Sequence, residues 1–321
     1  MKDHNFSQKE NVLLVGVIYG RLDDEKVHEH LDELSLLTET AGGNVISRVT
    51  QKISKINPSF FIGKGKAEEI IQYAKDLKIT SIIFDDELSP SHLKNYNNLS
   101  KEIKIIDRSM LILEIFKQHA QTKEAKTQVE LAELQYMLPR LTRAWTHLER
   151  QMGGIGTRAG AGETQIEVDR RLVRTRISKL KTDLKKIENE RELQRKRRGN
   201  FFKVTLVGYT NAGKSTLMKA MSGSNVFIQN QLFATLDTTT RLVELDNAHS
   251  IMLSDTVGFV RKLPHHLVAS FKSTLKEIVD SDLILIVLDS SSKQVYDHYK
   301  TIIDVLKDLG AERHKTLVIL N

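Results

Sequence analysis

A complete phosphate-binding motif occupies residues 208–215, which read GYTNAGKS and match the pattern G-x-x-x-x-G-K-S. The apolar run 202–207 precedes the motif, and residues 216–221 have the composition of a helix. A strand that leads into a glycine-rich turn and a helix N-terminus directs several backbone N–H groups at one point. Lys214 can reach the terminal phosphates of a nucleotide, and the Ser215 hydroxyl can bind Mg²⁺. We therefore predict a nucleoside triphosphate site.

A second candidate motif, DTVG, spans residues 255–258 and follows the strand-like run 251–254. An acidic residue at a strand end beside the phosphate loop can bind Mg²⁺ through water. A glycine three residues later lets its backbone N–H approach the γ-phosphate. The pattern D-x-x-G also occurs in ordinary turns, but its position after a full phosphate loop favours a role for residues 255–258 in the nucleotide site.

Between these motifs, residues 233–240 read FATLDTTT and contain four threonines. A threonine hydroxyl in this segment can complete the Mg²⁺ shell and order the segment only when a γ-phosphate is present. Threonine hydroxyls also cap turns, and we expect at least two of the four to do so.

Composition limits the possible classes of protein. The 321 residues are enough for two or three domains. No stretch approaches the roughly 18 apolar residues of a membrane span, and the N-terminus lacks the apolar core of a signal peptide. Cysteine is absent, which excludes disulfides and thiolate metal sites and indicates the cytoplasm. No histidines share a helix face in a metal-ligand pattern, so we expect no transition metal.

Positive charge is concentrated in one segment. The chain carries a net charge of +7, whereas residues 170–198 alone contain thirteen Lys/Arg against four acids. Clustered Lys/Arg on a helix is typical of nucleic-acid binders, although most charged helix faces are merely solvated. The sparse acids and the glycine-rich segment with Arg158, Arg170 and Arg171 favour RNA.

The elements that must position these residues fall into three predicted domains. Residues 1–122 alternate strand-like and helix-like runs, which indicates a parallel α/β domain. Residues 123–198 contain two apolar stripes with heptad spacing, separated by the glycine-rich loop 152–162. This pattern predicts a basic antiparallel helical hairpin, or coiled coil, with a kink or a break at Pro139. In residues 199–321 the alternation returns, which predicts an α/β phosphate-loop domain.

Two further features concern the ends of these domains. The sequence GKGK at residues 63–66 lacks the rest of a phosphate loop, so a tight strand-to-helix turn is favoured over a second nucleotide site. The chain stops at Asn321, directly on a predicted strand end. We therefore expect the last domain to be incomplete at its C-terminus.

Together these motifs resemble the translation-factor-related GTPases, and the whole chain is similar to the HflX-type GTPases. The resemblance rests on FATLD at 233–237, DTVGFVRKLP at 255–264, GGIGTR at 153–158 and ETQIEVDRR at 163–171. IGKGKA at 62–67 also matches. Residues 159–162 read AGAG where the family commonly has Gly-Pro-Gly, a difference that concerns the rigidity of the loop.

The resemblance implies an Mg²⁺-dependent GTPase that cycles between GTP and GDP. By the family pattern, Thr235 is the switch threonine and shares Mg²⁺ with Ser215, while Asp255 acts through water. Lys214, Thr235 and Gly258 are the implied catalytic residues. Asn321 would open the guanine-reading motif Asn-Lys-x-Asp, whose acidic residue lies beyond the last residue. The implied nucleotide-binding residues are Gly208, Tyr209, Thr210, Asn211, Ala212, Gly213, Lys214, Ser215, Thr216, Phe233, Ala234, Thr235, Leu236, Asp237, Asp255, Thr256, Val257, Gly258 and Asn321.

Two positions refine the expected mechanism. Phe259 follows Gly258, where many GTPases carry a glutamine that orients the attacking water, so we expect slow intrinsic turnover. Asn211 resembles the asparagine with which several relatives hold K⁺, although asparagine is also a common turn residue.

The resemblance also implies a partner, the large ribosomal subunit and its RNA, with no DNA and no membrane span. We expect a cytoplasmic monomer that associates with ribosomes and dissociates or rescues them under stress. Two other hypotheses remain open at this point. One is a nucleotide-gated RNA-binding factor with incidental turnover, and the other is an ATP-dependent RNA remodeller.

Overall fold

The computed structural model describes residues 10–20, 22–141, 165–197, 201–223, 232–233, 236, 238–245, 249–262 and 272–321. For residues 165, 191–197 and 272–274 it describes the backbone alone. The chain divides into two compact units. One comprises residues up to Gln118 with Glu133–Lys179, and the other comprises His119–Ala132 with Leu180–Asn321.

The first unit contains a four-stranded parallel sheet, with the strands in the order β2-β1-β3-β4. The central strand β1 is almost wholly buried because helices accompany the sheet, as expected for a parallel α/β arrangement. The predicted strand–helix alternation is therefore confirmed. The elements are β1 (Asn11–Ile18), α1 (Asp24–Thr40), β2 (Asn44–Lys52), α2 (Lys64–Asp76), β3 (Ser81–Phe84), α3 (Pro90–Leu99), β4 (Lys104–Asp107) and α4 (Arg108–His119).

Two long helices follow, and a proline ends the first. Helix α5 (Lys123–Met137) stops two residues before Pro139, and a 3₁₀ turn spans Leu138–Arg140. The predicted break at Pro139 is thus confirmed, since proline cannot donate the hydrogen bond that a helix interior needs. Helix α6 covers Gln165–Arg197 and buries Val173, Ile177 and Leu180 of the predicted apolar stripe. The glycine-rich loop at 152–162 lies outside the described residues.

The second unit contains a five-stranded sheet in the order β6-β7-β5-β8-β9. Strand β6 runs antiparallel to β7 and forms a hairpin with it, and the other neighbours are parallel. Within the described parts of the chain, no helix is long and apolar enough to span a bilayer. The elements are β5 (Phe202–Gly208), α7 (Lys214–Ser222), β6 (Thr239–Glu244), β7 (Ser250–Asp255), α8 (Lys272–Val279), β8 (Leu283–Leu288), α9 (Val295–Asp308) and β9 (Thr316–Leu320).

The order of this sheet positions the two main motifs. Strand β5 lies between β7 and β8, and the phosphate loop leaves its carboxyl end. Asp255 is the last residue of β7, the parallel neighbour of β5. Because the carboxyl ends of parallel strands meet at one edge, the loop and the DTVG segment lie side by side.

Candidate active site

The loop between β5 and α7 has the backbone conformation that its glycines allow. Gly213 begins α7 with φ of +92°, and Asn211 has φ of 60°. A Cβ atom on Gly213 would lie 2.2 Å from the side-chain nitrogen of Asn321, and one on Gly208 would lie 2.4 Å from the Val287 carbonyl oxygen. Both glycines are therefore required, the first by its backbone angle and both by close packing.

Lys214 is buried at the centre of this loop. Its ammonium group donates hydrogen bonds to the carbonyl oxygens of Gly208 at 3.2 Å and Tyr209 at 2.8 Å. Burial lowers the pKa of Lys214 to about 8, against the opposing influence of Asp255. A Cβ atom on Gly258 would lie 3.0 Å from the ammonium nitrogen. The predicted phosphate-binding lysine and the DTVG glycine therefore flank the same space.

Ser215 and Asp255 form the second part of the site. The Ser215 hydroxyl donates to Asp255 Oδ2 at 2.7 Å, and Asp255 Oδ1 is buried without a hydrogen-bond partner. Burial raises the pKa of Asp255, whereas Lys214, Ser215 and the Thr256 backbone N–H lower it. A hydroxyl and a carboxylate are oxygen ligands that Mg²⁺ prefers, and a hydrated cation would satisfy the unpartnered oxygen. These residues fit a Mg²⁺ ion.

Asn321 reaches the phosphate loop from the end of β9. Its side chain donates to the Ala212 carbonyl oxygen at 3.2 Å, and its own carbonyl oxygen accepts from the Ser290 backbone N–H and hydroxyl. This contact joins residues 109 positions apart in the sequence. The sequence predicted Asn321 as a nucleotide-site residue, but no periodicity or spacing predicted its contact with the loop.

The threonine segment is only partly described. Phe233 and Leu236 are buried, and Phe233 has φ of 58°. Ala234, Thr235 and Asp237 lie outside the described residues, so Thr235 remains a prediction. Among the other threonines, Thr240 shares a hydrogen bond with Ser254 within the β6–β7 hairpin, and the Thr238 hydroxyl is buried without a hydrogen-bond partner.

The segment after Gly258 is paired with the phosphate loop through its backbone. Phe259 donates its N–H to the Gly208 carbonyl at 3.0 Å and accepts from the Thr210 N–H at 2.8 Å, which makes a parallel bridge to Tyr209. The Phe259 side chain is 1% exposed. Its ring is therefore a core element of the domain.

Sequence reasoning assigned Tyr209 to the loop but missed its contacts. The Tyr209 hydroxyl accepts a hydrogen bond from the Arg261 backbone N–H at 2.7 Å, and its ring stacks on His298 of α9 with centroids 3.9 Å apart. No local sequence signal could have indicated the stack, because 89 residues separate the two rings.

Comparison with known proteins supplies a family. Three family models match the chain: GTP-binding GTPase N-terminal over residues 28–117, GTP-binding GTPase Middle Region over 119–198 and 50S ribosome-binding GTPase over 203–321. Proteins named GTPase HflX from Flavobacterium psychrophilum and Escherichia coli are 51% and 42% identical. The matches cover 97% of this chain in both cases, and 75% and 72% of the respective relatives.

A solved structure with a similar fold also matches nearly the whole chain. A GTP-binding protein from Sulfolobus solfataricus, crystallised with GDP, is 27% identical with a TM-score of 0.50. The similarity covers 98% of this chain and 82% of that protein.

Proposed function

Because this chain belongs to the GTPase HflX family, we propose that it binds GTP with Mg²⁺ and couples GTP hydrolysis to the large ribosomal subunit. The observation that carries the proposal is the convergence of Lys214, Ser215 and Asp255 at the carboxyl edge of one parallel sheet. Each residue supplies a group that phosphoryl transfer requires, and the three come from the two predicted motifs.

Each residue of the proposed site has a separate role in binding phosphate or Mg²⁺. Lys214 would hold the β- and γ-phosphates, and the backbone N–H of Gly258 would face the γ-phosphate. Ser215 would bind Mg²⁺ directly, Asp255 would bind it through water, and Thr235 would complete the shell. When bound, Mg²⁺ neutralises charge on the phosphate oxygens. The N-terminus of α7 adds its positive dipole end to the same site.

Nucleotide selectivity provides the first test. Asn321 stands beside the loop at Ala212, at the position where the family's guanine-reading motif opens. We expect calorimetric titration of the full-length protein to show binding of GTP and GDP and no competition by ATP. Competition by ATP at equal concentration would favour the ATP-dependent remodeller instead.

We also propose that Asn211 holds a K⁺ ion near the β- and γ-phosphates. The residue is exposed and has φ of 60°, in the left-handed region that asparagine tolerates better than most residues. Hydrolysis should be several-fold faster in KCl than in NaCl, and Asn211→Ala should remove the difference. Equal rates in both salts would refute the cation role and leave the GTPase proposal intact.

The partner proposal rests on charge. Residues 170–198 contain thirteen Lys/Arg and four acids, and α6 presents several of the basic side chains to solvent. Such a surface suits ribosomal RNA because neutralised phosphates release counterions. We propose that a cytoplasmic, monomeric protein uses this helix on the large subunit to dissociate or rescue ribosomes under stress.

One observation favours a second candidate, a nucleotide-gated ribosome-binding factor with incidental turnover. Phe259 is buried and cannot orient an attacking water as glutamine does. Comparison of kcat for GTP with and without large ribosomal subunits separates the two. Stimulation of tenfold or more supports a ribosome-activated GTPase, whereas unchanged kcat together with GTP-dependent subunit binding supports the gated factor.

A further inference from the structure

Three hydrogen bonds, two of them between backbone groups, fasten the segment after Gly258 to the start of the phosphate loop. Two come from the bridge between Phe259 and the loop, and the third is the Arg261 N–H donating to the Tyr209 hydroxyl. The bridge uses the Gly208 carbonyl and the Thr210 N–H, so it occupies the beginning of the loop and not the N-terminus of α7. The fastening is therefore compatible with a phosphate bound at that helix end.

The Tyr209 ring is itself held in place. It is 6% exposed and stacks on His298 with an interplanar angle of 13°. The Arg261 guanidinium donates to the Gln294 side chain, which precedes α9. Tyr209 and Arg261 are thus both anchored to the same region, the beginning of α9.

We propose that Tyr209 is a positioning residue for hydrolysis. The His298 stack orients the Tyr209 ring, and the Tyr209 hydroxyl fixes the Gly258–Arg261 backbone against the phosphate loop. This inference rests on the proposed GTPase function and deepens it. Gly258 packs so closely on the loop that a Cβ atom would lie 2.7 Å from Thr210 Cα. A small shift of the segment therefore moves the Gly258 N–H relative to the γ-phosphate, and misplacement by about 1 Å can cost about a hundredfold in rate.

The buried phenylalanine makes this positioning more important. Where a glutamine follows the DxxG glycine, a polar side chain can order the attacking water directly. Phe259 has no such group and is packed into the core. The backbone of the segment must then be correctly placed before the ribosome or another partner can complete the site.

Steady-state GTP hydrolysis by the full-length protein tests the proposal. Tyr209→Phe keeps the stacked ring and removes only the hydroxyl, so we expect kcat to fall about five- to tenfold with GDP affinity within about twofold of wild type. His298→Ala should lower kcat to a similar degree, while His298→Phe, which keeps a stacked ring, should retain most of the rate. Tyr296→Phe is the matched control, because Tyr296 lies on α9 with its side chain 75% exposed.

Each alternative outcome has a definite meaning. If wild-type protein hydrolyses GTP and Tyr209→Phe has the same kcat, the positioning role is wrong and the GTPase proposal stands. A higher kcat in Tyr209→Phe would also overturn it, since the contact would then restrain the segment. A parallel loss of kcat, GDP affinity and thermal stability in both Tyr209→Phe and His298→Ala would indicate a structural role only. Absence of wild-type hydrolysis, even with large subunits, would contradict the proposed function itself.

Discussion

At the scale of single residues, the proposed phosphate site depends most directly on Lys214. Its ammonium is buried and already held by two loop carbonyls, so it is preorganised for a phosphate ligand. Lys214→Ala should weaken GTP binding at least about a hundredfold, because it removes the charge that faces the β- and γ-phosphates. Lys219→Ala, an exposed position on the same helix, is the control and should bind normally. Unchanged GTP affinity of a folded Lys214→Ala protein in calorimetry would contradict the phosphate-binding role of Lys214.

Glu114 predicts a pH dependence of stability that is independent of nucleotide. Burial raises the pKa of this α4 carboxyl from 4.5 to about 7, with Glu133 and Glu10 adding to the rise and Lys117 and Lys104 opposing it. The folded state therefore binds the proton more tightly than the unfolded state. This contribution to stability is complete below about pH 4.5 and is lost as the pH rises through 7.

Replacement of the carboxyl by an amide isolates that contribution. Between pH 5 and pH 8, the free energy of unfolding of the wild type should fall by about 1–2 kcal/mol more than that of Glu114→Gln, because the amide does not titrate. One pKa unit corresponds to about 1.4 kcal/mol. Urea unfolding at both pH values measures the difference. The exposed Glu102→Gln should change stability by less than about 0.5 kcal/mol at either pH. A pH-independent effect of Glu114→Gln would show that the carboxyl does not titrate in this range.

At the scale of elements, the alternation of strand-like and helix-like runs predicted the α/β arrangement. One helix is too polar to be indicated by such a pattern. Residues 81–84 form one of the strand-like runs of the first domain and correspond to β3, because four consecutive apolar or small residues are buried there. Helix α3 has no clear apolar periodicity, since its residues include few apolar side chains. It depends instead on Pro90 in its first turn, reciprocal hydrogen bonds between Ser89 and His92, and burial of Leu93 and Tyr96.

The turn after α5 is secured by a buried guanidinium. Arg140 donates to the Tyr136 and Leu88 carbonyl oxygens, each at 2.9 Å, and to the Glu87 carboxylate. It also lies 3.7 Å from Asp107, which is 0% exposed and accepts the backbone N–H groups of Leu88 and Met110. Arg140 therefore ties the end of α5 to the carboxyl edge of the first sheet.

Removal of this side chain should destabilise the first unit strongly. Arg140→Ala leaves Asp107 buried without its opposing charge, and we expect a loss of about 3–5 kcal/mol in the free energy of unfolding. Arg140→Lys keeps the charge but cannot reach all the acceptors, so it should lose less. Denaturant unfolding of the full chain measures both variants. A loss below about 1 kcal/mol for Arg140→Ala would show that the cluster contributes little.

At the scale of the whole molecule, the sequence predicted which motifs share a site but not how they touch. Two parallel strands with motifs at their carboxyl ends were sufficient to predict that Lys214 and Asp255 are neighbours. The contact of Asn321 with Ala212 and the stack of Tyr209 on His298 depend on tertiary packing across 109 and 89 residues. Periodicity and local motifs carry no information about such pairs.

The charge on α6 leads to a prediction for the intact protein on the ribosome. Arg171 and Arg174 are exposed on this helix, whereas Arg170 is partly buried and donates to the Leu141 carbonyl at 3.0 Å. Reversal of Arg170 would therefore disturb the fold, and the double variant Arg171→Glu with Arg174→Glu is the sharper test. We expect it to weaken binding to the large subunit at least about tenfold while GDP affinity stays the same, because the proposed nucleotide-binding residues lie elsewhere in the sequence.

A titration from low to moderate KCl gives this prediction a second readout. Every phosphate contact that is lost should make the logarithmic dependence of affinity on salt shallower by about one unit. The control variant Lys75→Glu with Lys94→Glu carries the same change of charge at exposed positions on α2 and α3. If both double variants lose affinity equally, long-range attraction accounts for the effect and α6 makes no specific contact. If neither the affinity nor the salt dependence changes in the α6 variant, this part of α6 is a solvated face, and the ribosome contact must come from another part of the chain.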